Sequence, residues 1–297
     1  MDEDEVTALF ERCSNRGRWG ADDELGTLNY ITEDKRRRAA ALVRTGRSVS
    51  LARDLSTVQS PVNPQPVLHL MTHDPHRPAT AALDYLGLHV HGLATHIDAV
   101  AHIHWEGACY NGRDIEEILT PQGLAFGSVH AQRGGIFTRG VLLDIAQARE
   151  VEWLARGDVV TTADLDRAQA RQDVRVESGD AVLVRVGLQA REAVEGPQKL
   201  ADRAGLDVGC VTWLHHHEAA LYGGDCIEAL PSPHPRLPLP LHQIGLAAMG
   251  LTLLDWPLVE QLSQICRELG TWEFLIVIAP LPLPGGTGSP VNPLCLF

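Results

Sequence analysis

No two of the six cysteines, at positions 13, 109, 210, 226, 266 and 295, form a C-x-x-C pair. Scattered in this way they give no disulfide framework, and reduced thiols in a cytosolic protein are the expectation. No apolar run reaches membrane-spanning length, and the start MDEDEV is acidic where a signal peptide is basic and then apolar; a soluble, unexported, cytoplasmic chain is expected. Near the C-terminus GGTGSP is followed by no lysine and opens no helix, which excludes a phosphate loop. Internal repeats and low-complexity tracts are absent. Cations are the scarcer charge, 25 Lys and Arg against 38 Asp and Glu for a net −13. That field disfavours nucleic acid and anionic membranes as partners and leaves small-molecule substrates compatible.

What is present is enough apolar residue for a large core. At 44% hydrophobic over 297 residues, one domain spanning 1–297 is expected. A short acidic helix is predicted over 3–13, and a second from Glu33 to Leu42 with Thr32 as its N-cap. SVSLARDL (48–55) reads as a strand. STVQSPVNPQPV (56–67), with three prolines, reads as an ordered loop that borders the substrate. GIFTRGVLLDIA, a helix from about Ala163 to Arg171 behind a capping threonine, and SGDAVLVRVG make a strand, helix, strand unit. FLIVIAPL is a continuous apolar run suited to a central strand buried on both faces. The alternation of strands and helices favours an α/β class.

The chemistry concentrates between His89 and Gly112, HVHGLATHIDAVAHIHWEGACYNG. In an extended strand the residues i, i+2 and i+6 leave from one face, so His96, Asp98 and His102 can converge on a point. Imidazole and carboxylate together suit Zn²⁺ or Mn²⁺, and three protein ligands with an open position make a catalytic arrangement. His91 is out of phase with His96. It either lines the back of the strand with His89 or rejoins the ligand face through a bulge at Gly92. A second cluster, His215, His216 and His217, falls on a predicted helix where consecutive residues point apart, and is read as structural.

THIDAVAH, followed by WEG and YNG, is similar to the HxGTHxDxPxH signature of the cyclase-like metal hydrolase family, which includes bacterial kynurenine formamidases, isatin hydrolases and trans-dienelactone hydrolase. WGADDELGTLN, HQIGLAAMGLTLLDWPLVEQL and the C-terminal FLIVIAPLPLPGGTGSPVNP resemble segments of its longer members. The signature's first His, its Gly and its Pro fall here on Gly92, Ala94 and Val100. The resemblance implies a swivelling three-layer β/β/α fold and a homo-oligomer, a dimer or tetramer. It implies metal ligation by His96 and Asp98, His102 as a ligand or active-site partner, and Asp255 in the place of a further carboxylate ligand. His242 stands where a His opens a late helix, and His102 or His242 would carry protons. With the first signature His missing, one divalent ion per chain is expected. The implied activity is hydrolysis of a cyclic amide, formamide or lactone. A metal-dependent cyclase or lyase of secondary metabolism, and a catalytically dead ligand-binding relative, are the alternatives.

Overall fold

The computed structural model describes residues 3–73, 81–199, 201 and 203–297. Its frame is a nine-stranded mixed sheet. In chain order the strands are β1 (Ser48–Ser50), β2 (His96–Asp98), β3 (Ile136–Asp144), β4 (Ala181–Arg185), β5 (Leu221–Gly224), β6 (Thr252–Asp255), β7 (Glu273–Ile278), β8 (Gly288–Pro290) and β9 (Leu294–Leu296). In space they run β1-β9-β7-β3-β4-β5-β6-β2-β8. The middle four, β3 to β6, are mutually parallel, and the strands on either side are antiparallel.

Parallel strands need long returns, and helices supply them. The helix Thr162–Gln172 lies between β3 and β4, and Leu188–Glu195 and Gly209–His216 lie between β4 and β5. Covered on both faces, β4, β5 and β6 are buried at every residue. The capping threonine acts as the sequence suggests: Thr161 N and Oγ1 both donate to Asp164 Oδ2, at 2.9 and 2.8 Å. Thr32 Oγ1 likewise accepts from Lys35 N at 3.1 Å and opens the helix Glu33–Ala40.

Two strand expectations change. β7, within FLIVIAPL, buries Phe274, Ile276 and Ile278 while Glu273, Leu275 and Val277 stay half-buried. It lies between antiparallel neighbours, where one face can stay partly wet. SVSLARDL is a strand only over its first three residues. By Arg53 its backbone N–H donates to the Thr95 hydroxyl at 2.9 Å, and the chain has turned towards β2. Outside the frame, Leu68–His73 and Ala82–Gly87 form an antiparallel hairpin exposed along nearly its whole length. Among the described residues no helix is long and apolar enough to cross a membrane.

Charge is buried where the helices meet the sheet. Asp144, fully buried at the end of β3, accepts from Arg185 Nη1 at 2.8 Å, Ser263 Oγ at 2.5 Å and Gln147 N at 2.9 Å. Arg185 is also held by Glu260, at 2.9 and 2.7 Å. Removing one member of such a group leaves its buried partners short of a counter-charge. Asp144→Ala is expected to cost about 3 kcal/mol of unfolding free energy, measured by urea denaturation. A loss below about 0.5 kcal/mol, the level of an exposed pair, would show that this network is not holding β3 to β4.

Candidate metal centre

β2 is three residues long and paired on both sides, so its alternation is fixed. Ile97 points into the core and is fully buried, while His96 and Asp98 share the other face. On one side His96 faces Asp255, the last residue of β6, across an antiparallel pair. On the other side Asp98 faces Gly288 of β8. A Cβ at Gly288 would lie 2.6 Å from Ile97 O and 2.9 Å from His91 Cε1, so only glycine leaves room for the His91 ring.

His91 belongs to the site, which settles the alternative left open by its phase. It arrives from a turn closed by Gly92 N on His89 O at 3.2 Å, where a bulged strand was one expectation. Its Nε2 is 2.9 Å from Thr287 Oγ1, and its Nδ1 lies 3.0 Å from Asp98 Oδ1. His96 donates Nδ1–H to Ala94 O at 2.8 Å, which leaves the Nε2 lone pair facing Asp98 Oδ1 at 3.6 Å. On its other oxygen Asp98 faces His242 Nε2 at 3.8 Å, and that nitrogen is 3.3 Å from Asp255 Oδ2. Two triads of potential ligand atoms therefore share Asp98: His91, His96 and Asp98, and Asp98, His242 and Asp255.

These residues fit a divalent cation. Both Asp98 carboxylate oxygens are buried, and ring nitrogens face them: His91 Nδ1 at 3.0 Å and His96 Nε2 at 3.6 Å from Oδ1, and His242 Nε2 at 3.8 Å from Oδ2. A buried carboxylate is costly unless a cation or several donors face it. Burial alone would raise its pKa, but His91, His102, His242 and His96 outweigh it and hold Asp98 at about 2. Imidazole nitrogens with carboxylate oxygens are a donor set for Zn²⁺ or Mn²⁺. The rings of His91 and His96 are each oriented through the nitrogen they do not present, as ligand histidines usually are.

His242 lies beside Asp98 and Asp255. It closes the short helix Pro240–His242, just before a π-helical stretch, Gln243–Met249. Glu228 fixes it twice: the His242 backbone N–H donates to Oε2 at 3.1 Å, and its Nδ1 lies 3.0 Å from both carboxylate oxygens. Burial opposes a charge on the ring, but Glu228 and Asp255 prevail and put its pKa well above the ordinary histidine value. Sequence reasoning missed Glu228. Its only signal is a carboxylate within an otherwise apolar ILE-ALA setting, Ile227 to Leu230, following a buried strand.

His102 is not brought to the cluster by strand alternation. β2 ends at Asp98, and the chain turns, with His102 N donating to Ala99 O at 2.9 Å. A period of two holds only while the backbone stays extended, so an i+6 relation cannot survive that turn. His102 stands in neither triad; its ring stacks on that of His91, with centroids 3.5 Å apart and planes 5° from parallel. Burial lowers its pKa to about 4 against the pull of Asp98, so it is neutral at pH 7. His215, His216 and His217 lie in neither triad, and His217 Nδ1 donates to Trp213 O at 2.9 Å while its ring stacks on that indole. Next to the centre lies a cavity of about 450 Å³. Ala94, whose carbonyl orients His96, lines it together with Ser56, Asn63, Gln65 and Val67 of the proline-rich loop.

The sequence model of the family described as "putative cyclase" matches residues 33–229. A crystal structure described as that of a novel cyclase is 29% identical, with a TM-score of 0.85, covering 96% of this chain and all of the other. The isatin hydrolase A of Ralstonia solanacearum is 24% identical with a TM-score of 0.59, covering 84% and 91% of the two chains. That of Labrenzia aggregata, bound to benzyl benzoate, is 20% identical with a TM-score of 0.62, covering 86% and 94%. No curated protein matches the chain.

In chelator-treated protein the Glu228–His242 contact has a measurable sign. His242 has a folded pKa above its unfolded value of 6.5, so the charged form contributes stability in full below about pH 6.5 and loses it as pH rises through the folded pKa. Glu228→Gln removes the larger of the charges that raise it. The ring resonance of His242, followed by NMR, is expected to titrate at lower pH in the variant, and the variant's stability should fall less steeply above pH 6.5. An unchanged titration would mean that Glu228 does not control the proton on His242.

Proposed function

The chain belongs to the putative cyclase family, and on that footing we propose that it is a metal-dependent hydrolase that opens a small cyclic amide, formamide or lactone. The observation that carries this reading is Asp98, a fully buried carboxylate faced by the rings of His91, His96 and His242, which is shared by two triads of ligand-type atoms. The isatin hydrolases among the structural neighbours support a small cyclic amide as the substrate type.

We assign His96 and Asp98 as ligands of one Zn²⁺ or Mn²⁺ per chain, with His91 in the third place. Asp255, paired with His242, is an outer carboxylate of the same site. His102 acts by packing on His91, which fixes the plane of that ring. When bound, the divalent ion supplies a water acidified towards neutrality and a Lewis-acid contact for the scissile carbonyl. The rest is done by the chain. His242 carries protons at Nε2, because Glu228 fixes Nδ1 and leaves only the other nitrogen facing the site. Glu228 also stabilises the imidazolium that forms when His242 takes a proton. The cavity beside Ala94 holds the remainder of the substrate, with the proline-rich loop as its wall. The full length acts as one domain. The exposed apolar residues Leu70, Met71, Tyr85 and Leu86 of the hairpin support a homo-oligomer, since an isolated two-stranded hairpin has little stability of its own in water.

Elemental analysis of purified protein tests the ligand assignment. His96→Ala and Asp98→Ala are each expected to lose the metal while keeping the wild-type circular dichroism, and His215→Ala to keep both metal and activity. Stoichiometric metal in either of the first two would overturn the assignment, and two equivalent tight sites on titration of apo protein would put a second ion in the His242 triad. Hydrolysis is told from cyclisation or elimination by solvent ¹⁸O: one labelled oxygen in the product is the expected result, and its absence would favour a cyclase or lyase.

A further inference from the structure

A guanidinium is fastened to the metal centre without an acid of its own. Arg53 is tied on both sides to residues adjacent to the proposed site: its backbone N–H donates to the Thr95 hydroxyl at 2.9 Å, next to His96, and its Nε–H donates to Trp256 O at 3.2 Å, next to Asp255. The Thr95 hydroxyl completes the knot by donating to the same Trp256 carbonyl at 2.9 Å. The stem of Arg53 is therefore held at a fixed place relative to His96 and Asp255, which are themselves paired. Its two terminal amino groups make no hydrogen bond or ion pair with the described residues, and the residue is half-buried. Arg53 lines the cavity beside the centre.

A second arginine packs on the same indole as Arg53, that of Trp256. Arg203 is 9% exposed, and its Nε and Nη1 are buried without a hydrogen-bond partner among the described residues. The two guanidinium carbons lie 5.7 Å (Arg53) and 4.4 Å (Arg203) from the centre of the Trp256 ring. Trp256 is held at a positive φ of 60°, a costly conformation for a bulky residue, and it sits directly after Asp255. Glu192 also lines the cavity, but its carboxylate is already engaged by Gln198 N at 3.2 Å and Arg203 Nη2 at 3.3 Å. Asp54 also lines the cavity, so its charges do not sum to a positive surplus; what it offers a ligand is the unmet N–H donors of Arg53. A planar fork of donors in a half-closed, partly apolar cavity is suited to a carboxylate.

We propose that this cavity is a subsite for a carboxylate carried by the substrate, received by the terminal amino groups of Arg53. It deepens the hydrolase reading and rests on it for the word substrate: the compound opened is an anionic cyclic amide, formamide or lactone whose carboxylate is not the group being cleaved. Leu93 and Leu258, which share the cavity, would lie along the ring of such a molecule. Arg53 then sets specificity and position, with no part in the chemical step.

The test uses the chelator-treated full-length protein, so that neither metal nor turnover is needed. Benzoate and its neutral counterpart benzamide are titrated by calorimetry into wild type, Arg53→Gln and Arg53→Lys. Benzoate is expected to bind at least about tenfold tighter than benzamide, to lose that preference in Arg53→Gln, and to keep part of it in Arg53→Lys, which retains the charge and loses the fork. Equal binding of the two probes, no binding of benzoate in the millimolar range, or an undiminished preference in Arg53→Gln would each overturn the subsite. So would benzoate binding that appears only after metal is restored, since the carboxylate would then be sitting on the ion. The wild-type comparison of the two probes needs no variant to fold. Because the readout is binding to metal-free protein, a chain that proves inactive towards every cyclic amide and lactone would sink the hydrolase reading and leave the anion subsite standing.

Discussion

A fully buried carboxylate faced by three imidazole rings is the constraint around which this molecule is arranged. Taking a charge out of water is costly, and the cost is met either by donors or by a cation. Asp98 is ringed by His91, His96 and His242. Each of these rings is turned towards it by a separate partner: Thr287 for His91, the Ala94 carbonyl for His96 and Glu228 for His242. Cation-seeking geometry is thus built in two layers, and the outer layer is contributed by segments far apart in sequence.

The position of the centre follows from how the sheet changes direction. β5 and β6 run parallel, so Asp255 and the segment that leads to Glu228 both emerge at carboxyl ends of strands, the usual place for ligands in such sheets. β2 then adds antiparallel to β6 and sets His96 opposite Asp255. Trp256, strained and pinned through its carbonyl by Thr95 and Arg53, stands at the corner where β6 ends. The metal centre and the adjoining cavity are therefore joined by backbone and hydrogen bonds at one corner. Arg53 and the residues proposed to hold the ion share one scaffold, the arrangement that positional precision in a catalytic site requires.

Much of the fold was legible because its signals are local. The capped helix after Thr161, the helix opened by Thr32 and the buried strand Ala181–Arg185 all lie where hydrogen-bonding side chains and apolar runs predict them. The departures come from pairing. β7 is apolar throughout, yet an antiparallel neighbourhood leaves its second face partly wet, and SVSLARDL stops pairing when Arg53 is drawn to Thr95. Neither neighbour is visible in the run itself.

For the site, the sequence by itself determined the phase of His96 and Asp98, since two residues in one strand must share a face whatever the strand packs against. It also marked His242 and Asp255 as residues of the late segment, through their resemblance to a family pattern. Only tertiary structure decided the rest. His91 joins because a turn, and a glycine at 288 on another strand, make room for its ring. His102 leaves the strand's alternation because the strand ends at its third residue, Asp98. Glu228, Arg53 and Arg203 carry no motif, and their roles exist only because β5, β6 and β2 bring chain ends together from far apart. Alternation is a property of the backbone and can be read along one dimension; which buried charge faces which is a property of the packing, and is set by partners that the local sequence does not contain.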